Sequence, residues 1–187
     1  LRRQRSRIFR DYIEMDKKFM KVTLYMAITA NGMIARKNLE TPWSDEEFNS
    51  YYEKVKEAGN VIVGSRTYPQ FLDTDIESMG KPLMVVLTRS NKVSGKENVV
   101  FAQSATKALE IVKDKGFDQA LVTGGGETNK AFLETGLIDE IYLDIEPLVF
   151  GEGIPLFSPS NVELKLKLLE TKKISDQTIQ LHYKVVK

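Results

Sequence analysis

Residues 120–150 read ALVTGGGETNKAFLETGLIDEIYLDIEPLVF, and the order of signals within them decides the fold. Ala120, Leu121 and Val122 form an apolar run with no polar alternation, as in a strand covered on both faces. Three glycines, Gly124, Gly125 and Gly126, break it. A helix is then predicted from Glu127 to Thr135, stopped by Gly136, and a second strand follows in EIYLDIEPLVF. Apolar strands separated by helices call for a mostly parallel sheet with both faces covered.

The same pattern extends toward the N-terminus. VTLYMAI (residues 22–28) opens as a strand rich in β-branched and aromatic residues, and VIVG (61–64) and PLMVVLT (82–88) are further apolar strands. A short strand is expected at residues 99–101, and a helix starts near Ser104 with Ala105, Ala108, Leu109 and Val112 on one face. Residues 42–59, PWSDEEFNSYYEKVKEAG, switch to helical spacing, with Phe48, Tyr51, Tyr52 and Val55 in one stripe and Gly59 closing the helix. Ser44 and Glu47 form an S-x-x-E capping box there, and Trp43 is placed to staple against Phe48. In the tail, LKLKLL (164–169) and TIQLHYKV (178–185) alternate as half-exposed antiparallel strands do, with a turn between them. The chain is therefore expected to be α/β, with a mixed, mostly parallel central sheet, helices on both faces and an antiparallel C-terminal hairpin. Residues 20–187 form one domain, in which residues 73–81 read as a flexible insertion.

Composition narrows the function classes. With 42% hydrophobic and 28% charged residues over 187 positions, the chain has the make-up of a packed globular domain. No apolar stretch approaches the ~20 residues that cross a bilayer, so no membrane partner is expected. The absence of cysteine removes disulfides, thiolate metal ligands and a cysteine nucleophile, and a cytoplasmic location fits. Residues 1–19 carry seven Lys or Arg against three acids, leaving 20 against 23 for the rest. The first 19 residues read as a basic extension, poorly ordered or an expression artefact, ahead of a start at Met20. The mildly acidic body argues against a nucleic-acid surface. No His, Asp or Glu cluster has metal spacing. His182 reads as a surface residue, and Asp139 and Glu140 as solvated charges at a strand start.

Three segments carry chemistry. Gly124, Gly125 and Gly126 let the backbone approach a ligand and leave the next helix's first N–H groups aimed at it, an arrangement suited to anions, although the same run also serves as a tight turn. GSRTY (64–68) follows another buried strand, with the cation of Arg66 between two hydroxyl residues, and LTRS (87–90) repeats the theme with Arg89. Ligands of open α/β sheets collect at the carboxyl ends of parallel strands, where all three segments fall. The coincidence points to a phosphate-rich ligand.

These segments, with AITANGMIA (27–35), Pro42-Trp43 before a helix and VTGGGETNKAFLETGLIDEIYLDIEPLVFGEGIPLF (122–157), resemble the dihydrofolate-reductase-like superfamily. The branch most similar is the reductase domain of the bifunctional deaminase-reductase of riboflavin biosynthesis. The resemblance implies a sheet of about eight strands with NADPH across its carboxyl edge. By it, Ala27 and Ile34 line the nicotinamide pocket, and Gly64, Arg66 and Thr67 the phosphate region. Thr88 and Arg89 meet the 2′-phosphate, and Gly124, Gly125, Gly126, Glu127 and Thr128 the pyrophosphate. The arginines favour NADPH over NADH, because a 2′-phosphate rewards a cation. Asn31, Trp43, Glu47 and Phe48 are the candidates for contact with a small-molecule substrate.

The substrate side departs from the family patterns. The carboxylate that dihydrofolate reductases carry five or six residues after the tryptophan is replaced here by Phe48 and Asn49, while Glu47 lies about 100° round the helix and has a place in the capping box. The acid common before the glycine turn in the riboflavin-pathway enzymes is Thr123, and their S-x-D-G loop is Thr29-Ala30-Asn31-Gly32. The expected activity is NADPH-dependent hydride transfer to a pyrimidine- or pteridine-type heterocycle. The alternatives are the riboflavin-pathway 5-amino-6-(5-phosphoribosylamino)uracil reductase, for which Arg36 and Lys37 are the nearest phosphate ligands, and a non-catalytic NADPH- or antifolate-binding protein. A homodimer is expected from the resemblance and the apolar tail strands.

Overall fold

The computed structural model describes residues 20–72, 76–90 and 94–187. The expected basic extension at 1–19 and part of the expected insertion, residues 73–75, lie outside the described residues. In chain order the elements are β1 (Lys21–Thr29), β2 (Met33–Ala35), α1 (Asp45–Ala58), β3 (Asn60–Gly64), a 3-10 turn (Tyr68–Phe71), β4 (Leu83–Leu87), β5 (Val99–Ala102), α2 (Ala105–Asp114), β6 (Gln119–Val122), α3 (Gly126–Thr135), β7 (Glu140–Glu146), β8 (Ile154–Pro155), β9 (Lys165–Lys173) and β10 (Ile179–Val186).

Eight strands form one sheet in the order β5-β4-β3-β6-β1-β7-β10-β9. The first six run parallel, and β10 and β9 are antiparallel additions beside β7. The apolar runs are explained by what covers them. On β3, Ile62 packs on one side of the sheet while Val61 and Val63 pack on the other; on β4, Leu83 and Val85 oppose Met84 and Val86. Ala105, Ala108 and Val112 of α2 and Phe132 of α3 cover one face, and Val55 and Ala58 of α1 cover the opposite one. A strand buried on both sides has no reason to alternate.

The helix ends follow their caps. Ser44 Oγ accepts from the Glu47 N–H at 3.2 Å, and Gly59 ends α1 in the left-handed region at φ 67°. Ser104 caps α2 by accepting from the Lys107 N–H at 3.1 Å.

Four expectations are corrected. β9 is exposed at every position rather than half-exposed, because it is the sheet's edge and no described helix covers either side. Within the expected insertion, Met79 is buried among the residues under α1. His182 is half-buried: its ring stacks on Tyr142 at 3.9 Å and its Nε2 meets Glu140 Oε2 at 2.9 Å. Asp139 and Glu140 are engaged rather than solvated, since Asp139 Oδ2 accepts from the Val22 N–H at 2.9 Å and Glu140 pairs with Lys21 at 2.7 Å. The two-stranded β2–β8 pair gives no sequence signal, because two or three residues are too short to show a period. Among the described residues no helix is long and apolar enough to cross a membrane.

Candidate active site

At the carboxyl ends of the parallel strands, backbone contacts lock the loops together. The Gly64 N–H donates to Gly124 O at 2.8 Å, Ser65 N–H to Leu87 O at 2.9 Å and Thr88 N–H to Ala102 O at 2.9 Å. Glycine is required where these loops cross. Gly124 sits at φ 96° with the Met26 side chain 3.1 Å from where a Cβ would stand, and its peptide bond to Gly125 is cis. A Cβ on Gly126 would lie 2.8 Å from Pro155 O, a backbone atom with nowhere to go. Gly126→Ala is therefore expected to destabilise the chain by about 1–3 kcal/mol, read as a lower urea midpoint with unchanged m-value. Unaltered stability would show that β8 yields freely.

Below this crossing lies a cavity of about 480 Å³. Of the residues expected at the cofactor, Ala27, Ile34, Arg66, Thr67 and Gly125 line it. Gly64, Gly124, Gly126 and Thr128 form the packed turn behind, where a Cβ on Gly64 would approach Thr128 Oγ1 to 2.6 Å. Glu127 is exposed on the first turn of α3, and Thr88 and Arg89 stand at the end of β4, outside the lining. Gly125 caps α3 without a side-chain hydrogen bond.

Of the expected substrate contacts, Trp43, Glu47 and Phe48 line the cavity. Asn31 does not. Its Oδ1 accepts from Thr29 Oγ1 at 2.7 Å and from the Phe150 N–H at 3.2 Å, while its Nδ2 donates to Phe150 O at 2.7 Å, fastening the β1–β2 turn to the loop after β7. Trp43 stacks on Phe150 at 6.1 Å instead of stapling Phe48, which turns to Tyr52 at 6.4 Å.

Glu47 is the largest departure from expectation. Only its backbone takes part in the capping box; the return bond to the Ser44 N–H is made by Glu146 Oε2 at 3.1 Å, from the end of β7. The Glu47 side chain is free to enter the cavity, and it is 3% exposed. Burial, with the negative charges of Asp144 and Glu146, raises its pKa to about 8. It is a neutral acid at pH 7.

Asp144 and Glu146 were not legible as site residues. Asp144 accepts from the Tyr25 hydroxyl and, at 2.8 Å, from Gln180 Nε2, and Tyr25 Oη shares a 2.8 Å bond with Ser50 Oγ. Burial holds the Asp144 carboxyl above its ordinary range against those bonds, and burial beside Asp144 drives the Tyr25 hydroxyl far above its own. Glu146 accepts from Ser44 Oγ at 2.9 Å and Thr178 Oγ1 at 2.7 Å as well as from the Ser44 N–H. Acids at alternate positions of β7, buried where most of the strand is only half-buried, share one face, and that alternation was the available signal. Two further lining groups, the Tyr51 and Thr123 hydroxyls, are buried and face each other, with no well-formed hydrogen bond to another described residue.

Comparison with known proteins agrees with this architecture. YwjB, an uncharacterised Bacillus subtilis (strain 168) protein, is 32% identical over 170 residues, spanning 87% of this chain and 97% of its own. Acinetobacter baumannii RibD superposes with a TM-score of 0.73 at 22% identity, covering 90% of this chain and 58% of that one. A Thermotoga maritima diaminohydroxyphosphoribosylaminopyrimidine deaminase/5-amino-6-(5-phosphoribosylamino)uracil reductase gives 0.68 at 20% identity, covering 91% and 58%. These two likenesses show a shared fold. The sequence profile described as the RibD C-terminal domain matches residues 20–180, and the chain belongs to that family.

Proposed function

We propose that this chain is an NADPH-dependent reductase that delivers a hydride to a small planar heterocycle of pyrimidine or pteridine type. The observation that carries the reading is that one cavity is lined by Ala27, Ile34, Arg66, Thr67 and Gly125 on the glycine-turn side and by Trp43, Glu47 and Phe48 on the other.

The residues suit the cofactor. Thr67 Oγ1 stands 3.3 Å from where a Cβ on Gly125 would be, so only a bare backbone leaves that ledge open. The first N–H groups of α3 have no side-chain cap, and Arg66 and Arg89 are exposed with no ion pair to a described residue. Cations and helix-end donors left unspent are what phosphates require. When bound, NADPH supplies a hydride for a C=N bond of the substrate. The nitrogen must gain a proton to complete the reduction, and the Glu47 carboxyl holds one at neutral pH. Trp43 and Phe48 orient a flat ring and keep water out.

Arg89→Ala is expected to weaken NADPH by about tenfold or more while leaving NADH nearly unchanged, as read by Trp43 fluorescence. Equal losses would place the 2′-phosphate elsewhere, and a chain that does not distinguish the two nucleotides would end the reading. Family membership favours a second reading, the phosphoribosylamino-uracil reduction itself. The exposed edge strand β9, with Leu166, Leu168 and Leu169 at its surface, suits a homodimer.

A further inference from the structure

Asn31 lies outside the cavity lining, and it is the chain's only asparagine followed by glycine. It is exposed, in a turn closed by the Gly32 N–H donating to Thr29 O at 2.9 Å. Gly32 stands at φ 82°, with open space where a Cβ would be. In such a pair the glycine nitrogen reaches the side-chain amide without steric hindrance.

The surroundings of the amide bear on that reaction. Asn31 Oδ1 accepts from Thr29 Oγ1 at 2.7 Å and from the Phe150 N–H at 3.2 Å. The Met33 N–H donates to Thr29 Oγ1 at 2.9 Å, which leaves the hydroxyl hydrogen directed at Asn31. Two donors on one carbonyl oxygen stabilise the oxyanion that forms when its carbon is attacked. The turn bond of Gly32 is the brake, since its N–H must leave Thr29 O before the nitrogen attacks.

The same side chain holds Phe150 at both backbone groups, its Nδ2 donating to Phe150 O at 2.7 Å. The buried Phe150 ring stacks on Trp43, a wall of the cavity, and lies 5.2 Å beneath the Arg36 guanidinium. A line of contacts therefore runs from an exposed amide to the cavity.

We propose that Asn31 is a deamidation site, and that its conversion to an acid releases Phe150 and loosens the Trp43 wall. The Gly32 nitrogen forms a bond to Asn31 Cγ, the Cγ–Nδ2 bond breaks, and ammonia leaves with the Gly32 proton. Water then opens the cyclic imide at either carbonyl. One product is aspartate; the other is isoaspartate, in which the main chain runs through the former side chain. Water enters, ammonia departs and nothing is oxidised. Neither product replaces the amide. A carboxylate has no N–H for Phe150 O and sets an acceptor against it, and isoaspartate also lengthens the turn that the Gly32 bond closes.

The test is ageing of the full chain at mildly alkaline pH beside the free peptide AITANGMIA, with far-UV dichroism to verify that the chain stays folded. Peptide mapping and isoaspartyl methyl transfer follow the chemistry, and acrylamide quenching follows Trp43, the single tryptophan. Conversion is expected at residue 31 ahead of every other asparagine, slower than in the peptide by no more than about a hundredfold, as one exposed turn must open. The Trp43 quenching constant is expected to rise roughly twofold in step with it. Asn31→Asp, which carries the acid from the start, is expected to show a raised constant without ageing. An amide intact at residue 31 after about a hundred half-times of the peptide overturns the proposal. So does a converted chain, or Asn31→Asp, whose Trp43 is quenched as in fresh protein. Mapping and quenching of the aged unaltered chain decide even if the variant fails to fold.

Discussion

Glu47→Gln is expected to make the ligand-free chain more stable than the unaltered protein at pH 9, by on the order of 3–5 kcal/mol. In the folded chain the carboxyl titrates at about 8 because burial and the charges of Asp144 and Glu146 oppose its ionisation. In the unfolded chain it titrates near the ordinary ~4.3. A folded-state pKa raised above the unfolded value means that the folded state holds the proton more tightly. The stabilisation is fully present below about pH 4, declines by ~1.4 kcal/mol per pH unit between the two values, and is gone above about 8. Glutamine has no proton to lose. Urea unfolding of both proteins at pH 5, 7 and 9 checks this: the gap should widen with pH, and a gap that stays constant would show that Glu47 ionises freely when folded. Under the proposed function the same carboxyl donates a proton, so it costs stability at the pH where it would work.

Glu146→Ala is expected to act in the opposite direction, with a loss of about 3–5 kcal/mol. Its carboxylate accepts three hydrogen bonds, from the Ser44 N–H, Ser44 Oγ and Thr178 Oγ1. Truncation strands these donors at a 3% exposed site. The effect extends beyond stability, because these bonds pin the N-cap of α1 to β7 and to the residue before β10, and Trp43 and Glu47 flank that cap. Under the proposed function, affinity for the heterocycle should fall in Glu146→Ala even where the chain is still fully folded, while affinity for NADPH, assigned to loops on other strands, should hold. A variant that unfolds at the same urea concentration as the unaltered chain would show that Glu146 is no anchor. Glu146→Gln should recover part of the loss, since one acceptor oxygen remains for Ser44 Oγ and Thr178 Oγ1.

Much of the architecture was legible because it rests on local rules. Apolar runs without alternation marked the parallel strands, Ser44 and Ser104 marked helix starts, and Gly59 and Gly136 marked helix ends. The three loops at the carboxyl ends of the parallel strands were legible for the same reason, since each follows such a strand directly. The substrate end was harder to read because it depends on contacts distant in sequence. Ser44 and Glu47 predicted a reciprocal capping box, but Glu146, 102 residues from Ser44, took half of it and released the Glu47 side chain. Trp43 likewise found Phe150 instead of its neighbour Phe48. Asn31 had the surroundings of a binding residue and proved to be a clasp. In each case a partner from the loop or strand around residues 146–150 competed successfully with the local one.

The division of the core into two layers bears on how such a domain diversifies. α1 packs with Tyr25, Val61, Val63 and Leu121 on one side of the sheet, whereas α2 and α3 pack with Leu24, Ile62 and Val122 on the other. The residues proposed to meet the heterocycle hang from the first layer, and the helix behind the glycine turn is seated in the second. Substitutions that retune recognition along α1 leave the α3 seat undisturbed. A lineage built on this plan can reshape one wall of the cavity while inheriting the glycine turn and its helix intact.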